Sequence, residues 1–109
     1  MPHPTLDTRL MRNAATQATA MLRALAHADR LLLLCQLSQK EFCVSELEEI
    51  LDLHQPSLSQ QLGVLRDEGL VEVRRQGKYM YYQVTDPEVL ELLHTLYGLY
   101  CPIVPENNA

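Results

Sequence analysis

Residues Val44 to Gln83 change periodicity three times, and the order of those changes limits what the chain can build. Val44-Ser45-Glu46-Leu47 opens a helical pattern that continues through Ile50 and Leu51 to about Asp52. Ser45 is the expected cap of that helix, with Glu48 three residues on as in a capping box. A tight turn follows. Pro56 suits the first turn of the next helix, where a missing N–H costs nothing, and Gly69 marks its end. Leu70 to Arg74 then alternates apolar and charged residues, Gln76-Gly77-Lys78 turns the chain, and Tyr79 to Val84 returns it. Two helices set at an angle can press the second into a DNA major groove, while a basic hairpin holds the neighbouring backbone.

The second of these helices carries the reading surface. Leu58, Leu62 and Leu65 fall on one face at helical spacing and predict the buried side. Gln60 lies opposite, flanked by Ser57 and Ser59, with Gln55 at the start. Gln can pair bidentately with adenine, and Ser can meet several base edges. On an isolated helix these would be ordinary solvated polar residues; the preceding helix and the following basic hairpin point to DNA. Arg74, Arg75 and Lys78 at the hairpin tip fit phosphate or minor-groove contacts. Alternation puts Tyr79 and Tyr81 on one face of the returning strand and Met80 and Tyr82 on the other, there to pack the hairpin onto the domain.

The remaining segments predict a mainly α domain with one small hairpin. Leu6, Leu10, Ala14, Ala18, Met21, Leu22 and Leu25 recur at helical spacing over residues 5 to 25. A second helix from about Ala28 to Ser38 contains Leu31-Leu32-Leu33-Leu34-Cys35, which predicts a central, buried element. Asp86 and Pro87 start a last helix that runs to about Tyr100, with Pro102 helping to end it. The chain of 109 residues reads as one domain, with a core over about 15–101 and frayed ends at 1–4 and 105–109. No apolar run is long enough for a bilayer, and the start lacks a signal-peptide pattern, so a cytoplasmic location is expected.

Charge and cysteine usage narrow the function. Net charge is −5, which argues against a nucleic-acid binder, yet Leu70 to Gln83 holds three bases against one acid. Charges beyond about 8–10 Å are screened, so a basic tip on an acidic body can still hold phosphate. Three cysteines, Cys35, Cys43 and Cys101, do not suit a disulfide framework. They leave buried apolar roles, metal ligation or a redox pair. His3, His27, His54 and His94 are scattered without an evident catalytic partner, and no enzyme motif is present.

Several runs together resemble the ArsR–SmtB family of bacterial winged-helix repressors. They are Leu22-Arg23-Ala24-Leu25-Ala26-His27-Ala28-Asp29-Arg30-Leu31, Val44 to Leu47, Gln55 to Leu62, Leu65 to Val71, and Arg74 to Lys78. The likeness spans about 15–101. It implies a winged helix-turn-helix fold, a homodimer through the first and last helices, and double-stranded, near-palindromic operator DNA as partner. On the last helix Leu90, His94, Tyr97 and Cys101 form one stripe, and Val89, Leu93, Leu96 and Tyr100 another, which a partner subunit would help to cover.

The family's metal motifs are incomplete. Cys43-Val44-Ser45 keeps one thiol of a Cys-Val-Cys site, and Asp86 and His94 keep part of a site on the last helix, so no metal or other cofactor is expected. Leu33-Leu34-Cys35-Gln36-Leu37 and Leu99-Tyr100-Cys101-Pro102 resemble the persulfide-sensing branch of the family. That likeness implies a repressor released from DNA when reactive sulfur species or oxidants link Cys35 to Cys101. The alternatives are a metal-responsive repressor and, because Glu46, Glu48 and Glu49 form an acidic face, a winged-helix module that binds protein.

Overall fold

A computed structural model describes residues 7–101. The elements in order are α1 (Thr8–Leu25), α2 (Ala28–Leu37), β1 (Phe42–Cys43), α3 (Val44–Leu51), α4 (Ser57–Asp67), β2 (Glu72–Gln76), β3 (Tyr79–Gln83) and α5 (Pro87–Tyr100). Leu6, Pro102 and both frayed ends expected from the sequence lie outside the described residues. The fold is mainly helical, as expected, with a winged helix-turn-helix arrangement. Its sheet has three antiparallel strands in the order β1-β3-β2, because Phe42 and Cys43 pair with Tyr82 and Tyr81. The wing is therefore tied to the body along a strand and not only at its base.

That pairing moves the start of α3. Backbone held extended at Phe42–Cys43 lets the helix begin at Val44, so Cys43 takes the cap position and not Ser45. Glu46, and not Glu48, reaches back to accept from the Cys43 N–H at 2.9 Å. This bond, with burial opposing it, holds the Glu46 carboxyl below the usual range. Ser45 sits within the first turn, its hydroxyl 3.3 Å from Cys43 Sγ. Asp52 ends α3 in the left-handed region at φ 54°. Pro56 stands just before α4 and not inside its first turn.

The other ends follow local chemistry. Asp7 accepts from the Arg9 N–H to start α1, and Asp86 accepts from Glu88 and Val89 to start α5. Gly69, at φ +72°, closes α4 with a Schellman pair: Leu70 N–H donates to Leu65 C=O at 2.9 Å and Gly69 N–H to Arg66 C=O at 3.0 Å. Gly77 has φ +63° at the first central position of a two-residue turn between Gln76 and Tyr79, as a type II′ hairpin requires. The ascending strand is Glu72–Gln76, two residues later than the sequence predicts, because Leu70 and Val71 are buried in the core.

Leu33, Leu34 and Leu37 of α2, Leu47 of α3, and Leu58, Leu62 and Leu65 of α4 are fully buried, so the helix-turn-helix packs directly on α2. Val89 and Leu93 of α5 and Tyr82 of β3 complete this core. Val84 N–H donates to Leu37 C=O at 2.9 Å, fastening the end of the wing to the end of α2. One expectation fails: the Leu31–Cys35 run is not wholly buried, since Leu32 is 46% exposed and Leu31 and Cys35 are half-buried. The small core covers α2 where it meets α1, α3 and α4, and Leu32 faces away from them.

Covering is scarcer still on α1 and on the far half of α5. Leu10 is 67% exposed, Leu99 70% and Tyr100 80%. Only Ala24 and Leu25 of α1 are buried. The radius of gyration is 16.6 Å, against about 13 Å for a compact chain of similar length.

Candidate nucleic-acid interface and paired thiols

The helix-turn-helix presents the side chains that the sequence singles out, with two changes in what they are free to do. Ser57, Ser59 and Gln60 are exposed at the start of α4, opposite buried Leu58, Leu62 and Leu65. A Cβ at Gly63 would meet nothing within 4 Å, so the outer face stays open further along the helix. Gln55 is also exposed, but its Oε1 accepts from the Ser59 N–H at 3.2 Å. It satisfies an otherwise orphaned donor of α4 and leaves its amide N–H groups free for a ligand.

At the wing, Arg75 and Lys78 are exposed and make no ion pair among the described residues. Arg74 is different. Its Nε and Nη2 donate to the two carboxylate oxygens of Glu41, its Nη1 donates to Gln76 Oε1 at 2.7 Å, and its guanidinium lies 4.8 Å from the Tyr81 ring centre. Hydrogen bonding to Arg74 holds the Glu41 carboxyl below the usual range, against a smaller opposing effect of burial. Tyr82 is buried and packs the wing onto the core, Tyr81 lies under Arg74, and Tyr79 stays exposed beneath Lys78.

Cys35 lies in α2, and Cys101 caps the C-terminal end of α5. Burial pushes the Cys35 thiol up, and the negative charge of a Cys101 thiolate pushes it further. Cys101 is exposed at the end of α5, and Cys35 is half-buried in α2; both are free thiols. A cavity of about 620 Å³ opens between α2 and α5 beside Cys35. Cys43, buried under the wing, is bonded to Ser45 and takes no part in this cavity.

The partial metal motifs do not assemble. Asp86 is committed to capping α5, and Cys43 faces a hydroxyl where a second thiolate would be needed. Among the described residues no three His, Cys, Asp or Glu side chains are grouped to hold an ion. No helix among them is long and apolar enough to cross a membrane.

Residues 27–73 match the family model for bacterial regulatory proteins of the arsR family. The chain is 44% identical over 108 residues to the biofilm growth-associated repressor of Agrobacterium fabrum, covering 99% of this chain and 86% of that protein. It is 37% identical over 96 residues to the transcriptional activator HlyU of Vibrio cholerae, covering 88% and 89%. The crystal structure of the transcriptional repressor BigR from Xylella fastidiosa superposes with a TM-score of 0.81 at 40% identity, covering 90% of this chain and all of that one. Identity of this degree over nearly the whole length, on a shared winged-helix frame, makes the chain a member of the arsR family of bacterial regulatory proteins, and a regulator in place of an enzyme.

Proposed function

We propose that this protein is a homodimeric transcriptional repressor that leaves its operator when Cys35 and Cys101 become linked by reactive sulfur species or oxidants. The observation that supports the reading is a pair of free thiols, one half-buried in α2 and one exposed at the end of α5, with the charge of Cys101 helping to raise the Cys35 pKa. Repression is favoured over activation because the likeness to a named repressor is higher and runs over more of the chain than the likeness to a named activator.

Exposed Cys101 meets solvent first, while burial keeps Cys35 protonated to higher pH. The Cys101 thiolate attacks the outer sulfur of a persulfide R–S–S–H; the donor's S–S bond breaks, R–S⁻ leaves and takes up a proton, and Cys101 becomes a persulfide. The Cys35 thiolate then attacks the inner sulfur of that persulfide and expels HS⁻. The two cysteines lose two electrons, the transferred sulfur becomes sulfide, and the products are a disulfide, a thiol and hydrogen sulfide.

A link between α2 and α5 acts on the DNA grip through the dimer. The uncovered apolar faces of α1 and α5 suit a second copy, which sets the two α4 helices against successive major grooves about 34 Å apart. Ser57, Ser59, Gln60 and the free amide of Gln55 read bases there, and Arg75 and Lys78 hold backbone. A coupling of about 1–3 kcal/mol between the link and that spacing changes affinity roughly 5- to 150-fold.

The test is operator binding by the parent, Cys35→Ser and Cys101→Ser before and after a persulfide donor, with intact masses. The parent is expected to release DNA with both thiols consumed, and both variants to stay bound. Release by both variants to the parental extent would sink the dithiol reading.

A further inference from the structure

The start of the reading helix is short of positive charge. From Asp52 to Leu65 the sequence holds no Lys or Arg, and its only ionisable side chains are Asp52 and His54. With a neutral imidazole, the turn and most of α4 therefore offer a polyanion one net negative charge; with an imidazolium they offer none. Resting on the operator-binding reading above, we propose that His54 is a proton-linked contact to the DNA backbone. As an imidazolium it meets a phosphate beside the bases that α4 reads, so the complex takes up a proton at each reading helix.

The place of His54 supports this. Asp52 ends α3 and Pro56 precedes α4, so His54 lies in the turn of the helix-turn-helix. Its C=O accepts from Leu58 N–H at 3.2 Å, which sets it over the first turn of α4, at the end that carries Ser57 and Ser59. A reading helix meets base edges with its N-terminal residues, which brings this end close to the flanking phosphates. The orphan N–H groups there also favour an anion. The His54 side chain is 77% exposed.

Asp52 decides which protonation state fits. Its Oδ1 lies 3.4 Å from His54 Nε2, and among the described residues it is the one acid within ion-pair reach of His54. Glu48 and Glu49 on α3 do not pair with His54, and α4 brings no charged side chain before Arg66. A neutral ring has one N–H. Donated to Asp52, it leaves a lone pair facing the phosphate. Donated to the phosphate, it leaves the Asp52 carboxylate uncovered beside a second anion. A doubly protonated ring donates from both nitrogens and removes both conflicts. The complex then binds more protons than the free protein, so affinity rises as pH falls through the range in which imidazole is protonated. His27, half-buried as the cap of α2, and His94 on α5 stand outside this turn.

The test measures operator affinity of the reduced full chain by fluorescence anisotropy at about pH 6 and about pH 8, across a salt series. The parent is expected to bind about fivefold tighter at the lower pH, with a salt slope steeper by about 0.9 for each reading helix. His54→Asn should lose most of that gain. His54→Arg should bind at the higher pH with the affinity and slope that the parent reaches at the lower. Asp52→Asn, which tolerates the left-handed backbone, should tighten binding at the higher pH. A parental affinity that does not change with pH overturns the inference. So does a gain that survives in His54→Asn, which assigns it to another group. A His54→Arg variant no tighter than His54→Asn at the higher pH overturns it too, because a fixed cation at that point then meets no phosphate. Specific binding absent at every pH is a different outcome: it removes the operator-binding reading, and this contact with it.

Discussion

Arg74 grips Glu41 with two nitrogens across 33 positions of sequence while its guanidinium sits over the Tyr81 ring, so this base of the wing is a strut. It fixes β2 to the segment leading into β1, and it leaves Arg75 and Lys78 as the wing's free cations. If each of those two neutralises one phosphate, Arg75→Ala and Lys78→Ala each reduce the salt slope of operator binding by about 0.9. Arg74→Ala should lower affinity with the slope unchanged, because it disorders the wing without removing a phosphate contact. A slope change for Arg74→Ala equal to the others would identify it as a direct contact.

The same pair makes a pH prediction. Because the Arg74 hydrogen bonds depress the Glu41 pKa, the pair's contribution is present above the ordinary carboxylate value of about 4.3 and is lost as pH falls through the lower, folded value. Carboxyl NMR should show Glu41 titrating below the ordinary carboxylate range, and Arg74→Ala should bring it back towards that range. Both groups sit at the surface, so the expected effect is on wing order and not on global stability.

Alkylation rates offer a check on the order of thiol attack. With its pKa raised by burial and by Cys101, Cys35 should react with iodoacetamide more slowly than Cys101 at neutral pH, and its rate should climb through a higher pH range. Cys101→Ser removes the like charge but not the burial, so the Cys35 profile should shift down only part of the way. Peptide mass spectrometry across pH would measure this. Faster modification of Cys35 than of Cys101 at pH 7 contradicts the proposed sequence of steps.

At the reading helix, two neighbouring glutamines should separate. Gln55→Ala deprives the start of α4 of its side-chain acceptor and is expected to cost stability of about 1 kcal/mol as well as operator affinity. Gln60→Ala should leave thermal stability unchanged and lose about 1–3 kcal/mol of discrimination between operator and mutated sites. Melting curves beside competition binding give both quantities.

Tyr100→Asp and Leu99→Asp each place a charge on the exposed end of α5, where the proposed second copy covers it. Sedimentation should show monomers and operator binding should be lost, while far-ultraviolet circular dichroism keeps its helical shape. A dimer of parental stability in both variants would move the subunit contact elsewhere.

The elements that could be read from the sequence are those whose signal is local. Leu58, Leu62 and Leu65 share one face by spacing alone, and Gly69 and Asp86 close and open their helices with bonds to residues at most five positions away. The misread features depend on distant partners. Ser45 is a reasonable cap until Cys43 is seen paired with Tyr81, which moves the helix start back. Arg74 looks like a free cation until Glu41 is placed beside it, and Leu32 looks buried until the width of the core is known. The pairing proposed for Cys35 and Cys101 has no local signature at all. It followed from resemblance, and the structure adds the cavity between their helices, which no spacing rule reveals.

The bond from Val84 N–H to Leu37 C=O joins the last turn of α2 to the chain just two residues before Asp86. There is almost no slack at that junction: three parts of the molecule share one anchorage, as spokes share a hub. With Val89 and Leu93 seated in the core beyond it, the first half of α5 shares that anchorage, and a tug that draws the free end of the helix towards α2 is borne by the exposed turns that follow Leu93.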